Sequence, residues 1–577
     1  MKTIKYIFLS FLSVCLFSSC SDFLDKEPTK STPETYFNTE SELKTFLLSV
    51  YNPLMQEYFY GDCYPLYIAG GDDLTFYQRS SPKESMICAT ASPGTPEITS
   101  YWRILYDGIN RANMLMENAD KNTEISSDVR AQAKAEALFL RSFYYFNLVQ
   151  GWGDVPFRLE AVKSVEGLSI PRTDKQVIYD RIIADIETAI PDLPSITDLA
   201  SPGTISQTAA QGILARIYLF RAGEYHRDKK TAGTEVTEYT TKAREWALRV
   251  YNSNLHDLAP SYKQVFIDMC SDQYNSQGVY ESMWEVEEAG NRINSNAYSA
   301  GRIGNTIGFG ANVDYSANAS FKDYTGMRNP GYGYRFAFAS LKLYNMYEEE
   351  GDTERGNWNI ADYEYTYVDG NSNLGIAGRK YFQGKKPNGP ANEIVDGMLY
   401  EEEASSGNKT RSAAKYRREY ESVTPKNKNF TPINFPILRY SDILLILAET
   451  ENELNGPADA YQYINRVRNR AGLGDLDAIN TPTKADFTDA LKKERAMELC
   501  FEAIRRWDLI RWGEFYTTMQ AMVSYVNSHQ GTGVGMGWNT GHKYAADYYN
   551  VPASYVYFPI PDWEITTNKA VTQNAGW

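Results

Sequence analysis

The chain has 577 residues and only 4 histidines. Histidine is the side chain that titrates near neutral pH and most often ligates zinc, so this scarcity argues against His-based catalysis and a zinc site. The six cysteines show no Cys-x-x-Cys spacing, which sets aside zinc ribbons and thioredoxin-like redox centres. Positive charge is also short: 58 Lys and Arg stand against 73 Asp and Glu, a net charge of −15. Nucleic acid as a partner needs a basic stripe, and adhesion to anionic lipid needs a basic patch. Neither is present. After the first twenty residues no apolar run is long enough to span a bilayer.

Familiar catalytic signatures are missing as well. There is no G-x-S-x-G, no H-E-x-x-H and no G-x-x-x-x-G-K-[ST]. The glycine-rich run at 531–537 has the wrong spacing for phosphate and no strand before it, so it reads as a flexible loop. Residues 369–373, DGNSN, imitate the start of an EF-hand. However, Gly375 comes one place late and Lys380 stands where the bidentate Glu is needed. The carboxylate pairs Asp72-Asp73 and Glu401 to Glu403 read as solvated loop charge. The expectation is no catalytic residue, no metal and no cofactor.

What the chain has in excess is tyrosine, 44 residues, beside 10 tryptophans. Tyr and Trp combine a flat apolar face with a polar tip, the composition of a binding surface. The amino terminus is a second positive feature. Lys2 and Lys5 precede an apolar segment at 7–17, then Ser18, Ser19 and Cys20. This is a secretory signal of residues 1–19. A Cys directly after small residues resembles a bacterial lipobox, with lipidation at Cys20 expected to hold the chain on a membrane without spanning it. Residues 20–40 are polar and Pro-containing and read as a tether. Cys63 and Cys88 flank one loop-rich stretch in an oxidising compartment, where a disulfide and two free thiols are both open. Cys500 reads as mid-helix packing.

The remaining 41–577 reads as a single domain in three parts: 41–255, 258–434 and 435–577. Helical periodicity appears at 41–51, 98–119, 173–190 with Thr173 or Asp174 as cap, 207–222 ended by Gly223, and 239–251. The last two, with Ala at their crossing positions, follow tetratricopeptide-like logic, although the insert 224–238 is long for a compact repeat. At 137–157, ALFLRSFYYFNLVQGWGDVPF, nearly every position of the helical part is apolar, which marks a buried central helix. Residues 279–286 alternate like a strand. From 287 to 434 periodicity is lost among Gly, Asn, Ser and interleaved aromatics. It returns at 439–456, 457–471 and in one long helix over 487–515.

Several of these segments carry a resemblance. The lipobox with SDFLD, the helix from Trp102 to Asn113, LRSFYYFNL with GDVP, residues 210–219, RYSDILLILAE, ERAMELCFEAIRRWDLIRWG, and FPIP with the closing TQNAGW resemble blocks of the SusD/RagB family of outer-membrane nutrient-binding lipoproteins, in the family's order. The resemblance implies a mostly α fold: four tetratricopeptide-like helix pairs as scaffold, a large loop-rich inserted half, and little β. It implies a cell-surface lipoprotein, not an enzyme, that sits as a lid on a SusC-like TonB-dependent β-barrel transporter. It implies capture of oligosaccharides or, in the RagB branch, of peptides. The family's motifs are structural in this reading, with Arg505, Arg506 and Arg511 pairing with carboxylates and helix ends. They fix no ligand contact. From local composition alone, Tyr77, Arg79, Asn296, Tyr298, Tyr315 and Tyr332 are the candidate ligand-binding residues, because stacking rings there stand beside hydrogen-bonding side chains.

Overall fold

The computed structural model describes residues 36–77, 90–164, 167–229, 233–289, 301–315, 325–361, 363–367, 377–381, 394–395, 398–401, 411–528 and 545–577. Its helices, in chain order, are α1 (Glu40–Tyr51), α2 (Pro96–Asn118), α3 (Ser127–Trp152), α4 (Lys175–Ala189), α5 (Gln207–Lys229), α6 (Thr234–Asn252), α7 (Tyr262–Ser271), α8 (Leu341–Glu350), α9 (Thr353–Asn359), α10 (Tyr440–Asn455), α11 (Tyr461–Arg470), α12 (Lys484–Leu499), α13 (Arg505–Arg511), α14 (Phe515–Ser528) and the short α15 (Asp562–Thr567), besides single turns. Consecutive helices pack as pairs: α2 on α3, α5 on α6, α10 on α11. Further contacts of α3 with α4 and of α6 with α10 join these pairs into one layer.

The central helix is α3. Ser126 caps its start by accepting from the Val129 amide, and Gly153, at φ 72°, ends it. Every residue from Phe139 to Trp152 is buried. A helix buried all round must satisfy its polar groups internally, and Arg141, Ser142, Tyr144, Tyr145 and Asn147 all find partners. Arg141 pairs with Asp185 of α4 at 2.5 Å and donates to Asn113 of α2 at 2.9 Å. The Tyr144 hydroxyl donates to the Val50 carbonyl at 2.6 Å, and Tyr101 donates to Asn147 at 2.9 Å. Helices α2 and α3 approach so closely at Gly108 that a Cβ there would lie 2.4 Å from the Tyr144 ring.

The chain end docks on the same helix. Trp152 donates to the Pro559 carbonyl at 2.9 Å, Phe558 N donates to the Gly151 carbonyl at 2.8 Å, and Asn574 donates to the carbonyls of Trp152 and Phe558 at 3.1 and 2.8 Å. The FPIP and TQNAGW segments are therefore a lock on α3.

The middle of the chain leaves the helical layer and returns to it through one two-stranded ribbon. Strand Ser282–Val286 pairs antiparallel with Phe435–Arg439, Val286 opposite Phe435 and Ser282 opposite Arg439. Between them lie α8, α9 and most of two small sheets, the first of which also takes in a strand from the amino-terminal part. One sheet runs in the order Thr75–Tyr77, Ala337–Ala339, Ser412–Ala413, Ile360–Ala361, and the other is built on the antiparallel pair Tyr363–Tyr367 and Ala377–Tyr381.

A buried ionic network fastens this inserted part to α11 and α12. Arg439 reaches Glu281, Glu498 and Glu502 at 2.8, 3.0 and 2.7 Å, Arg355 reaches Glu494 and Glu498 at 2.6 and 3.2 Å, and Lys415 reaches Glu502 at 2.7 Å. Burial alone would push the Glu498 carboxyl up. Arg470, Arg439, Arg355 and Lys415 overcome this and hold it well below the usual range.

Three expectations are corrected. Gly223 does not end α5: the helix runs on to Lys229, and Gly223 is where the Arg511 carbonyl passes, 2.5 Å from the position of an added Cβ. The supposed insert 224–238 is therefore largely helical and the pair α5–α6 is compact. The long helix expected over 487–515 is broken at 500–504, where Phe501 and Ala503 adopt φ of 62° and 60°. Cys500 is consequently the C-cap of α12 and is not mid-helix. The left-handed conformation costs a non-glycine residue about 1–2 kcal/mol. Here it turns Glu502 inward to Arg439 and Lys415 and aims Arg505 at Asp73. Finally, Asp72 and Asp73 are not solvated loop charge: they are 5% and 0% exposed.

Candidate functional site

The inserted half brings aromatic rings to the surface in a row. The Tyr332 and Tyr334 rings lie 4.9 Å apart, edge to face, and Tyr334 stacks on Phe336 at 5.3 Å with 25° between the planes. Phe336 lies 5.8 Å from Tyr77, and Tyr77 lies 5.9 Å from Tyr67. The row thus starts in the core at Tyr77 and ends half-buried at the surface at Tyr334 and Tyr332.

Its backbone is fixed from beneath. Tyr332 and Tyr334 flank the bridging Gly333 and share a face; Arg335, at φ 45°, then turns the chain, and Phe336 still meets the Tyr334 ring. Gly333 between the two tyrosines forms a bridge with Ala311, at 3.0 and 3.2 Å, and passes so close that a Cβ would sit 1.9 Å from the Phe309 carbonyl oxygen. Asn305, fully buried, donates to the carbonyls of Tyr332 at 2.7 Å and Lys428 at 2.8 Å, tying the two loops together. Arg418 does the same from the other side, donating to the Tyr332 carbonyl at 2.6 Å and the Asn427 carbonyl at 2.7 Å while Glu421 accepts from its Nε at 2.6 Å.

The polar rim comes from that second loop. Asn427 accepts the backbone N–H groups of Asn429 and Phe430 at 2.8 and 3.2 Å, a side-chain turn that shapes the loop. Tyr334 donates to Asn429 at 2.9 Å. The Lys428 ammonium lies 4.8 Å from the Tyr332 ring centre and 3.2 Å from Asp314. This hydrogen-bonded pairing raises the Lys428 pKa above its ordinary value. The surface therefore offers flat apolar faces beside an amide, a carboxylate and an ammonium. It matches a ligand with apolar faces rimmed by hydroxyls.

Behind the row lies a buried acid. Asp62, 2% exposed, is pushed up to about 6 by burial, against the opposing pull of Arg302 and the Thr306 hydroxyl, which donates to it at 2.7 Å.

Of the six candidate ligand residues, Tyr332 lies on this surface. Two are corrected. Tyr77 is 1% exposed because both faces of its strand are covered, Phe76 by Tyr548 and Tyr77 by Phe336. Tyr315, 2% exposed, packs 5.7 Å from Tyr367 in the small core around Phe309 and Val313. Arg79, Asn296 and Tyr298 lie outside the described residues, as do Cys20 and Cys88. Cys63 is a buried free thiol. Tyr334, Asn429, Lys428 and Asp314 were missed. The Tyr-x-Tyr-x-Phe alternation at 332–336 was a legible signal for the first, whereas the loop 427–430 lies about a hundred positions away and carried none.

Among the described residues, no helix is long and apolar enough to cross a membrane, and no group of His, Cys, Asp and Glu gathers to hold a metal ion.

The arrangement defines a class: a helix-pair scaffold with a large insertion, between two paired strands, that carries the tyrosine surface. Comparison with known proteins narrows it. Residues 22–219 match the family described as "Starch-binding associating with outer membrane", and residues 311–577 match the one described as the SusD family. The chain belongs to the SusD/RagB family. A SusD-like protein of Formosa agariphila is 26% identical across 99% of this chain and 97% of its own, and a SusD-like protein of Bacteroides ovatus is 23% identical across 89% and 83%. Among solved structures, a SusD homolog from Bacteroides thetaiotaomicron superposes with a TM-score of 0.77 at 24% identity, covering 96% of this chain and all of that one. Surface glycan-binding protein A from the same organism, in complex with laminarihexaose, gives a TM-score of 0.63 at 19% identity over 92% and 99% of the two chains.

Proposed function

We propose that this protein captures oligosaccharides at the outer surface of the cell and delivers them to a SusC-like TonB-dependent β-barrel transporter in the outer membrane, itself held there by a lipid on Cys20. The observation that carries the reading is the half-buried surface end of the aromatic row, Tyr332 and Tyr334, rimmed by Asp314, Lys428 and Asn429. A pyranose ring presents one apolar face of C–H bonds and a rim of hydroxyls, and this surface supplies a partner for each. The role is binding without turnover: the charged groups nearest the rings, Asp314 and Lys428, are engaged with each other. Family membership and the laminarihexaose complex of a fold neighbour support the same reading.

The alternative is a peptide receptor on the same scaffold. An extended peptide is held through main-chain hydrogen bonds to a free strand edge. Here the Tyr334 and Phe336 N–H groups already donate to the carbonyls of Asn305 and Thr306 at 2.7 and 2.8 Å, which favours sugars. The test is a binding screen of polysaccharides and peptides against the wild-type chain and Tyr332→Ala/Tyr334→Ala, together with pull-down of the barrel from membranes. Binding of peptides but no glycan would sink the glycan reading. Absence of any barrel in the pull-down would sink the delivery step.

A further inference from the structure

A second recessed surface lies away from the tyrosine row and shares no residue with it. It is a cleft of about 670 Å³ bounded by α2, by residues 156–162 and 167–170 and by α15. Large apolar side chains exposed to water need a reason when they converge. Three of them do so here: Val162 at 40% exposure, Leu168 at 43% and Trp563 at 39%.

The cleft is built, and its walls are fixed. Tyr106 on its floor donates to the Pro156 carbonyl at 2.7 Å. Asn113 donates to the Glu160 carbonyl at 3.1 Å and is itself held by Arg141 of the central helix. Asn568 bonds to Ser169 at 3.0 Å and to the Ile170 carbonyl at 3.0 Å, joining the loop wall to the carboxy-terminal wall. At the rim stands Arg103. Among the described residues its guanidinium has no hydrogen bond or ion pair, and its one contact is the Trp563 ring, 5.9 Å from the centre. That distance is the outer limit of a cation–π contact, and the indole remains 39% exposed. Glu160 places a carboxylate on the same rim, as does Asp107, which is paired with Arg111 at 2.7 Å.

These features select among ligand classes. A polyanion would meet Glu160 and Asp107, while of the two lining guanidiniums Arg158 is held by the Gly167 carbonyl and only Arg103 is uncommitted. An extended peptide needs free backbone groups, but the N–H groups of Ala161 and Val162 on the loop wall are already taken by Glu117 and Asn110, both at 2.8 Å. A neutral sugar fits: its apolar face lies on Trp563, and its hydroxyls, each both donor and acceptor, use Arg103 and the Glu160 carboxylate together. We propose that this cleft is a second carbohydrate-binding site, taking a neutral pyranose segment stacked on Trp563 and hydrogen-bonded by Arg103. It rests on the reading of the protein as a glycan receptor and adds a site to it. Two sites on one chain raise affinity for a polymer above that for a short oligosaccharide, provided the polymer can span them.

The test is affinity electrophoresis of the full chain in native gels containing starch, laminarin, xyloglucan, galactomannan, mannan or galactan. Trp563→Ala, Arg103→Ala, Tyr332→Ala/Tyr334→Ala and the combined variant are compared with wild type. Trp563 and Arg103 are exposed, so unchanged thermal melting is expected and serves as the folding control. For a polymer that retards wild type, Trp563→Ala is expected to weaken binding ~10-fold, Arg103→Ala several-fold, and the combined variant to abolish it. Retardation of Trp563→Ala equal to wild type, with loss in the tyrosine variant, overturns the cleft and leaves the tyrosine surface standing. No retardation of wild type by any of the polymers overturns the carbohydrate reading of both sites.

Discussion

Arg505 Nε and Nη2 each lie 2.9 Å from a different oxygen of Asp73, 432 positions earlier in the chain. Lys342 completes the site at 2.6 Å. Burial would raise the Asp73 carboxyl, but the two cations hold it well below the usual carboxylate range. Removing one partner of a buried pair leaves the other charge unpaired, at about 3–5 kcal/mol. Asp73→Ala is therefore expected to lower the urea midpoint steeply. Arg505→Lys, which keeps the charge but loses the planar fork, should fall between that variant and wild type. Equal midpoints for all three would show that the pair adds nothing.

Neighbouring Asp72 behaves in the opposite way. Burial and the adjacent Asp73 push it up to about 7. Burial also lifts Glu285 to about 7, although Ser282 and Asn434 donate to it, and Asp62 to about 6. For such groups the folded state keeps its proton after the unfolded state has lost it. Their stabilisation is full below the unfolded pKa, near 4, and is lost as pH rises to the folded pKa. From these groups, stability should decline between about pH 4.5 and 7 and then level off, each contributing ~1.4 kcal/mol per pH unit of its window. Asp442, burial opposed by Arg216 and Arg495, is held down to about 2 and acts only at the acid end, its stabilisation lost as pH falls through that value. Urea midpoints of wild type and Glu285→Gln from pH 4.5 to 7.5 check this: the variant's profile should be flatter.

The tyrosine surface separates stacking from support. Tyr332→Ala and Tyr334→Ala should each weaken glycan binding ~10-fold with little change in melting. Tyr334→Phe, which loses only the bond to Asn429, should cost less. Gly333→Ala drives a Cβ into the Phe309 carbonyl. It should lower both affinity and melting temperature, because the strand must shift to admit it.

Gly223→Ala offers a test of the helical layer itself. An added methyl would meet the Arg511 carbonyl and Cβ at 2.5 and 2.9 Å, where backbone cannot step aside. Overpacking of this kind costs about 1–3 kcal/mol. Differential scanning calorimetry should show a lowered transition. An unchanged one would mean that α5 and α13 separate more easily than their packing indicates.

The legible part of this protein was the local part. The apolar run at 137–152 announced a buried helix, and α3 is buried throughout its second half because residues on every side of it are apolar. Asp174 was visible as a cap and accepts from the Gln176 amide at 2.7 Å. The break at 500–504 was invisible, since Phe501 and Ala503 carry no turn signature and are held at positive φ by long-range ion pairs. The site was half visible. The alternation at 332–336 shows in the sequence, but whether a tyrosine faces water depends on what covers it, and Tyr77 and Tyr315 are covered by Phe336 and Tyr367.

The sequence by itself determined the helical scaffold and, through motifs spread over most of the chain, the family. Periodicity, caps and apolar runs act over a few residues, so they survive without any knowledge of the fold. Only the tertiary structure decided which rings and charges are available. Asp73 became half of a buried pair because Arg505 arrives from 432 positions away, and Asn429 came to stand at the tyrosine row because Asn305 and Arg418 hold its loop beside Tyr332. Burial is a property of neighbours, and in this chain the deciding neighbours are distant in sequence.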